Sequence, residues 1–186
     1  MRKHFGAETW LYPMPVFIIG TYNEDGSANA MNAAWGGTAN TRKIAICVDR
    51  SHKTTANIKA RKAFTVSMAD AAHLTAADYV GIASGHDTPD KVEKAGLTVI
   101  ASDHVDAPYF QEFPMTLECR LVSYDDESEL LVGEIVNICA EESVLGEDGQ
   151  IDTQKLNAIT YDPVHHDYIL LGKIVGKAFH DGTVLE

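Results

Sequence analysis

Between Arg50 and Ile58 the chain reads Arg-Ser-His-Lys-Thr-Thr-Ala-Asn-Ile, a run that sets the Ser51, Thr54 and Thr55 hydroxyls beside Lys53, His52 and the Asn57 amide. Groups of this kind can hold an anion. The pattern predicts the start of a helix, where unpaired backbone N–H groups and the positive end of the helix dipole add to the cations. From Arg42 to Lys62 seven basic side chains (Arg42, Lys43, Arg50, Lys53, Lys59, Arg61 and Lys62) face one acid, Asp49. This island carries +6 in a chain of net charge −12, which leaves −18 on the remainder. Two readings stay open from these residues alone: a phosphate cradle, or a capped surface helix with solvated lysines.

A second constellation is Asn29-Ala-Met-Asn-Ala-Ala-Trp-Gly-Gly37. Asn29 and Asn32 supply amides, Ala34 and Gly36 leave backbone groups approachable, and Trp35 offers an aromatic face, so a flat heterocycle could lie against the strand. The competing reading is a barrel-core tryptophan beside a bulge. Gly36-Gly37 lacks the spacing of a Rossmann fingerprint, and no Walker A loop occurs. Lys91, following Asp90, is either half of a surface pair or a cationic arm at a ligand. His165-His166 between Asp162 and Asp167 suggests a metal, but adjacent residues on an extended chain point to opposite faces and chelate one ion poorly. The same alternation disfavours a Ser-His-Asp triad, and no Gly-x-Ser-x-Gly elbow is present.

Strands must position most of these residues. Apolar and alternating runs predict strands at Met14 to Tyr22, Ser27 to Trp35, Lys43 to Val48, Phe64 to Ala69 and Leu97 to Ala101. Three longer ones follow at Met115 to Tyr124, Leu130 to Ala140 and Tyr168 to Phe179. Asn23-Glu-Asp-Gly26 reads as a hairpin turn, and Asp125 to Glu129 as a solvated one. Helices are expected at Leu74 to Ala83, ended by Gly85, and at Pro89 to Ala95, ended by Gly96. Strands outnumber helices, so the predicted fold is mainly β: an antiparallel, Greek-key-like β-barrel with flanking helices. Because elements adjacent in sequence tend to be adjacent in space, Trp35 and Lys53 are expected on neighbouring parts of the sheet, within reach of one ligand.

The 186 residues, 45% hydrophobic and 23% charged, suit one domain spanning 1–186. The acidic balance argues against nucleic acid and anionic membrane, which both require a broad positive surface. Cys47, Cys119 and Cys139 each sit in apolar runs and are odd in number, so buried free thiols are expected. No signal-peptide-like or membrane-length apolar run is visible, and a cytoplasmic location is inferred.

Several pieces of the chain together resemble one family. They are Pro13-Met-Pro-Val16, Gly20-Thr21, Asp25 to Asn29, Ala34-Trp35-Gly36, Ser51 to Ile58, Asp90-Lys91 and Leu117-Glu-Cys119. The family is that of the flavin reductase-like, FMN-binding split-barrel proteins, in particular the flavoredoxin-like branch, and the resemblance covers essentially the whole chain. The chain departs from it after Asn40, where Thr41-Arg42-Lys43 replaces an often proline-rich segment. The resemblance implies a split β-barrel holding FMN non-covalently, usually as a homodimer with flavin sites near the subunit interface. On that basis Asn29, Asn32, Ala34, Trp35 and Gly36 belong to the isoalloxazine wall. Ser51, His52, Lys53 and Thr54 belong to the phosphate loop, with Thr55 and Asn57 as further contacts and Lys91 near the N1–C2=O edge. It further implies hydride transfer from NADH or NADPH, then passage of electrons to a second flavin, a redox partner protein or a small oxidant. Flavin carries such chemistry itself, so no catalytic side chain is assigned.

Overall fold

A computed structural model describes residues 1–185. Its strands and helices run β1 (Met14–Pro15), β2 (Phe17–Tyr22), β3 (Ala28–Ala33), β4 (Gly36–Asn40), β5 (Lys43–Cys47), α1 (Lys53–Arg61), β6 (Ala63–Met68) and α2 (Leu74–Ile82). There follow α3 (Lys91–Lys94), β7 (Val99–Ala101), β8 (Pro108–Phe110), β9 (Met115–Asp125), β10 (Leu130–Ala140), α4 (Thr153–Leu156), β11 (Ile159–Tyr161) and β12 (Tyr168–Leu170). Seven strands form one antiparallel sheet in the order β3-β2-β6-β9-β10-β5-β4. Its two edge strands, β3 and β4, are consecutive in the chain and joined only by Ala34 and Trp35, so the sheet must curl until one end of each edge comes near the other, without the two strands pairing. That curl makes a split half-barrel.

The two-residue period of a strand explains which side chains meet which core. Phe17 and Ile19 of β2 join Ile44, Ile46, Phe64, Val66, Leu117 and Leu131 in the barrel core. Ile18, between them, points the other way and packs with Ala77 and Val80 of α2 and with Phe110. β2 is therefore covered on both sides, and each fully buried isoleucine contributes about 1.5–3 kcal/mol by leaving water. Gly20 in that strand admits no side chain: a Cβ there would lie 2.2 Å from the Pro108 carbonyl oxygen. At the β2–β3 turn Gly26 takes φ +86° while the Asp25 carboxylate accepts from the Ser27 amide and hydroxyl at 2.9 and 2.6 Å.

Most predicted strands form, with four corrections. The run from Met14 to Tyr22 breaks at Val16, so that β1 pairs with β11 while β2 pairs with β3 and β6. The strand expected over Tyr168 to Phe179 stops at Leu170, since Gly172 and Gly176 interrupt it and, among the described residues, no partner strand continues beside it; Ile174, Val175 and Phe179 are exposed. β4, β8, β11 and α4 were not predicted, being short and weakly patterned. Finally, only Cys119 is buried; Cys139 is half-buried and Cys47, the last residue of β5, is exposed. No helix among the described residues is long and apolar enough to cross a membrane.

A cleft at the split of the barrel

Two cavities meet where the sheet edges approach. The first, about 290 Å³, is bounded by Asn32, Ala34, Trp35, Asp78, Tyr161 and Tyr168 among others. The second, about 400 Å³, lies between the start of α1 (Ser51, His52, Lys53, Thr54) and the end of α2 with its following loop (Val80 to Asp87, and Lys91). Met31, Asn32, His52, Gly81 and Ile82 line both, so the cavities form one bent cleft. Trp35 and Lys53 therefore do serve the same cleft. Strand pairing brings them there: β4, which begins just after Trp35, pairs with β5, the strand that leads to α1, and the Cys47 amide donates to the Trp35 carbonyl at 2.8 Å.

The first cavity has an aromatic side. The ring centroids of Trp35 and Tyr161 lie 6.1 Å apart, as do those of Tyr161 and Tyr168. Tyr168 donates its hydroxyl to Asp78 Oδ1 at 2.8 Å, and burial, reinforced by that carboxylate, pushes its pKa up to about 12. It thus stays a neutral donor. Opposite, Asn32 Nδ2 donates to the Ala77 carbonyl at 3.0 Å, and Gly81 allows α2 to come close, since a Cβ there would lie 2.9 Å from Asn32 Cβ. Ala34, Trp35 and Cys47 also border a more apolar groove of about 570 Å³ that runs to Trp10, Pro13 and Leu130, where Gly36 lies.

The second cavity is built on the N-terminus of α1. His52 precedes the helix in an extended conformation without a side-chain cap, and no acid stands in the first turn. The first N–H groups are thus not satisfied by a capping side chain and face a cavity that Lys53 also lines. Asp49 anchors the approach by accepting from the Ser51 amide and hydroxyl at 2.7 and 2.6 Å, bonds that hold its carboxyl below the usual range. Beneath, Asn29 Nδ2 donates to Thr54 Oγ1 at 2.9 Å, and Asn57 Nδ2 to Thr21 Oγ1 and Asn23 Oδ1 at 3.0 and 2.8 Å. Thr55 donates to the Asp49 carbonyl at 2.7 Å. Asn29, Thr55 and Asn57 are buried and line neither cavity, so their bonds fix the angle at which α1 starts.

Lys91 is 3% exposed. Its Nζ donates to the Ala83 carbonyl at 2.9 Å and the Val80 carbonyl at 3.3 Å, satisfying the end of α2, and burial pulls its pKa down to about 8. It lines the second cavity and not the first, while Asp90 pairs instead with Lys94 at 3.0 Å. His165 and His166 diverge, one to Asp162 at 2.8 Å and the other to the Tyr161 hydroxyl at 2.5 Å. Sequence reasoning missed Asp78, Gly81, Gly85, His86, Tyr161 and Tyr168. Only Gly81, interrupting a helical run of small residues, carries a local signal of close approach.

A curled antiparallel sheet whose edges part around a cleft defines a split β-barrel, with few helices and one side of the cleft built on a helix start. The sequence matches the flavin reductase like domain over residues 9–159, and the chain belongs to that family. Its structure superposes on the flavoredoxin of Desulfovibrio vulgaris (Miyazaki F) with a TM-score of 0.94 at 38% identity, covering 98% of this chain and all of that one. Against the flavoredoxin from Methanosarcina acetivorans the TM-score is 0.90 at 26% identity, with both chains covered completely. An uncharacterized Bacillus subtilis protein, YdfE, is 25% identical over 97% of this chain and 95% of its own. The chain thus falls in the flavoredoxin-like branch.

Proposed function

We propose that the protein is a flavin-dependent oxidoreductase that binds FMN non-covalently in the bent cleft. The observation that carries this reading is the uncapped, acid-free start of α1, opening beside Lys53 into a cavity that continues into an aromatic slot. An anionic head and a flat aromatic body fit these two halves in turn. The helix N–H groups, Lys53, Ser51 and Thr54 would hold the phosphate. Asn32, Ala34, Trp35, Tyr161 and Tyr168 would bound the ring and exclude water from its faces. Lys91 keeps the end of α2 in place and adds positive charge to the anionic end, while Asn29, Thr55, Asn57 and Gly36 support the walls from behind. Bound flavin supplies the hydride and electron chemistry, so the protein's work is orientation, electrostatics and access.

NADH or NADPH is the proposed donor, and free flavin, a redox partner protein or a small oxidant the proposed acceptor. A second reading, an electron carrier that reacts poorly with nicotinamide, is favoured by the 38% identity to a flavoredoxin. Anaerobic mixing of the FMN-loaded protein with each nucleotide separates the two: prompt bleaching marks a reductase, persistence of the oxidised spectrum a carrier. A protein that shows no flavin bands when purified and no fluorescence change on adding FMN would be neither. We further propose a cytoplasmic homodimer, supported by exposed apolar side chains on both terminal arms, among them Phe5, Leu11, Ile174, Val175 and Phe179. Sedimentation at micromolar concentration tests the dimer, and a monomer would refute it.

A further inference from the structure

Two exposed residues that line the second cavity, Ser51 and His86, are joined by a bridge that the flavin reading does not require. His86 Nε2 lies 3.1 Å from the Ser51 carbonyl oxygen, joining the loop after α2 to the approach of α1. Because a carbonyl can only accept, Nε2 carries the proton and donates. The loop is a compact turn: the Asp87 and Thr88 amides donate to the Ser84 carbonyl at 3.2 and 2.9 Å, and the His86 amide donates to Ser84 Oγ at 3.2 Å. Its inner side is seated on the opposite wall, since a Cβ on Gly85 would lie 2.5 Å from Asn29 Oδ1 and 3.2 Å from Lys53 Cβ. The two walls thus touch at the base through Gly85 and at the rim through His86. Asp87, beside the bridge, also lines the cavity.

We propose that His86 is a latch that makes this cleft selective for a flavin mononucleotide over a flavin dinucleotide. The inference rests on the flavin reading above. A mononucleotide ends in its phosphate and needs only the space between the α1 start and the loop. A dinucleotide must carry its chain onward, through a second phosphate and an adenosine, and the way out past Ser51 is crossed by the His86 bridge. His86 is exposed and the turn has its own backbone bonds, so replacing the imidazole opens the rim without dismantling the loop.

The test is fluorescence titration of the full-length protein with FMN and with FAD, in the parent, H86A and H86Q. The parent is expected to prefer FMN. In H86A that preference should narrow about tenfold, mainly through tighter FAD binding. H86Q, whose amide can again donate to the Ser51 carbonyl, should restore most of the preference. A structural role alone would weaken both flavins in H86A by the same factor and leave the ratio unchanged, which overturns the latch while the flavin reading stands. A parent that binds FAD as tightly as FMN overturns it without any variant. A parent that binds neither flavin removes the flavin reading and the latch with it.

Discussion

The two walls of the cleft are made in opposite ways. The wall at the α1 start comes from consecutive residues, Ser51 to Thr54, whose hydroxyls, cation and N–H groups are brought together by one turn of backbone. The aromatic wall is assembled from Trp35, Asp78, Tyr161 and Tyr168, and its Tyr168–Asp78 hydrogen bond spans 90 residues of sequence. A charge site can be local because a helix start already concentrates donors. A slot for a flat ring needs surfaces facing one another, which only distant segments can supply.

If the walls divide the ligand as proposed, their variants should differ in kind as well as in size. Lys53→Ala is expected to have the largest effect, weakening FMN by roughly tenfold to a hundredfold, the loss of one charge-assisted hydrogen bond. Riboflavin, which lacks the phosphate, should bind this variant as it binds the parent. Equal losses for both ligands in paired fluorescence titrations would break the comparison. Gly81→Ala attacks the other wall, because its Cβ would meet Asn32 Cβ at 2.9 Å and neither atom is the end of a flexible chain. Denaturant unfolding should show a loss of about 1–3 kcal/mol, the usual range for overpacking. FMN and riboflavin should weaken together in that variant.

Tyr168→Phe is a finer probe of the aromatic wall. It keeps the ring and removes only the donor to Asp78, leaving a carboxylate without that partner. A loss near 1 kcal/mol, about fivefold in affinity, is expected for both ligands, with a shift in the visible spectrum of the bound flavin. Fivefold weakening of FMN with riboflavin untouched would assign Tyr168 to the anionic end.

The same division governed what could be seen in the sequence. Ser51 to Asn57 stood out because hydroxyls and cations at a predicted helix start have a local meaning, and β2, β3, β9 and β10 were legible as apolar or alternating runs of strand length. β11 was not, and β12 was seen only as the start of a longer strand. β11 and β12 are three residues each, and what makes them matter is where the curl of the sheet delivers Tyr161 and Tyr168. Nor could spacing show that Asn57 and Thr55, typed like ligands, spend their hydrogen bonds on Thr21, Asn23 and the Asp49 backbone. Trp35 was placed near Lys53 for a reason that holds, since the β4–β5 pairing sets Trp35 beside Cys47, at the end of the strand that leads to α1.

The smallest expected effect is one of pH, and it joins the walls because Lys91 ties the end of α2 to the anionic cavity. Burial lowers its pKa from the ordinary 10.5 to about 8, so the folded protein holds this proton less tightly than the unfolded chain. The burial penalty is therefore present in full below about pH 8 and is relieved as pH rises toward 10.5, where this group alone makes the protein more stable. Ligand binding should run the other way. An anion beside Lys91 favours the charged form, so FMN affinity should fall about fourfold between pH 7 and 8.5 as the free protein loses that proton. Riboflavin affinity should stay flat over the same range, and Lys91→Met should flatten the FMN profile. An FMN profile that is flat in the parent would detach Lys91 from the phosphate and leave it solely as the tie that holds Val80 and Ala83 at the end of α2.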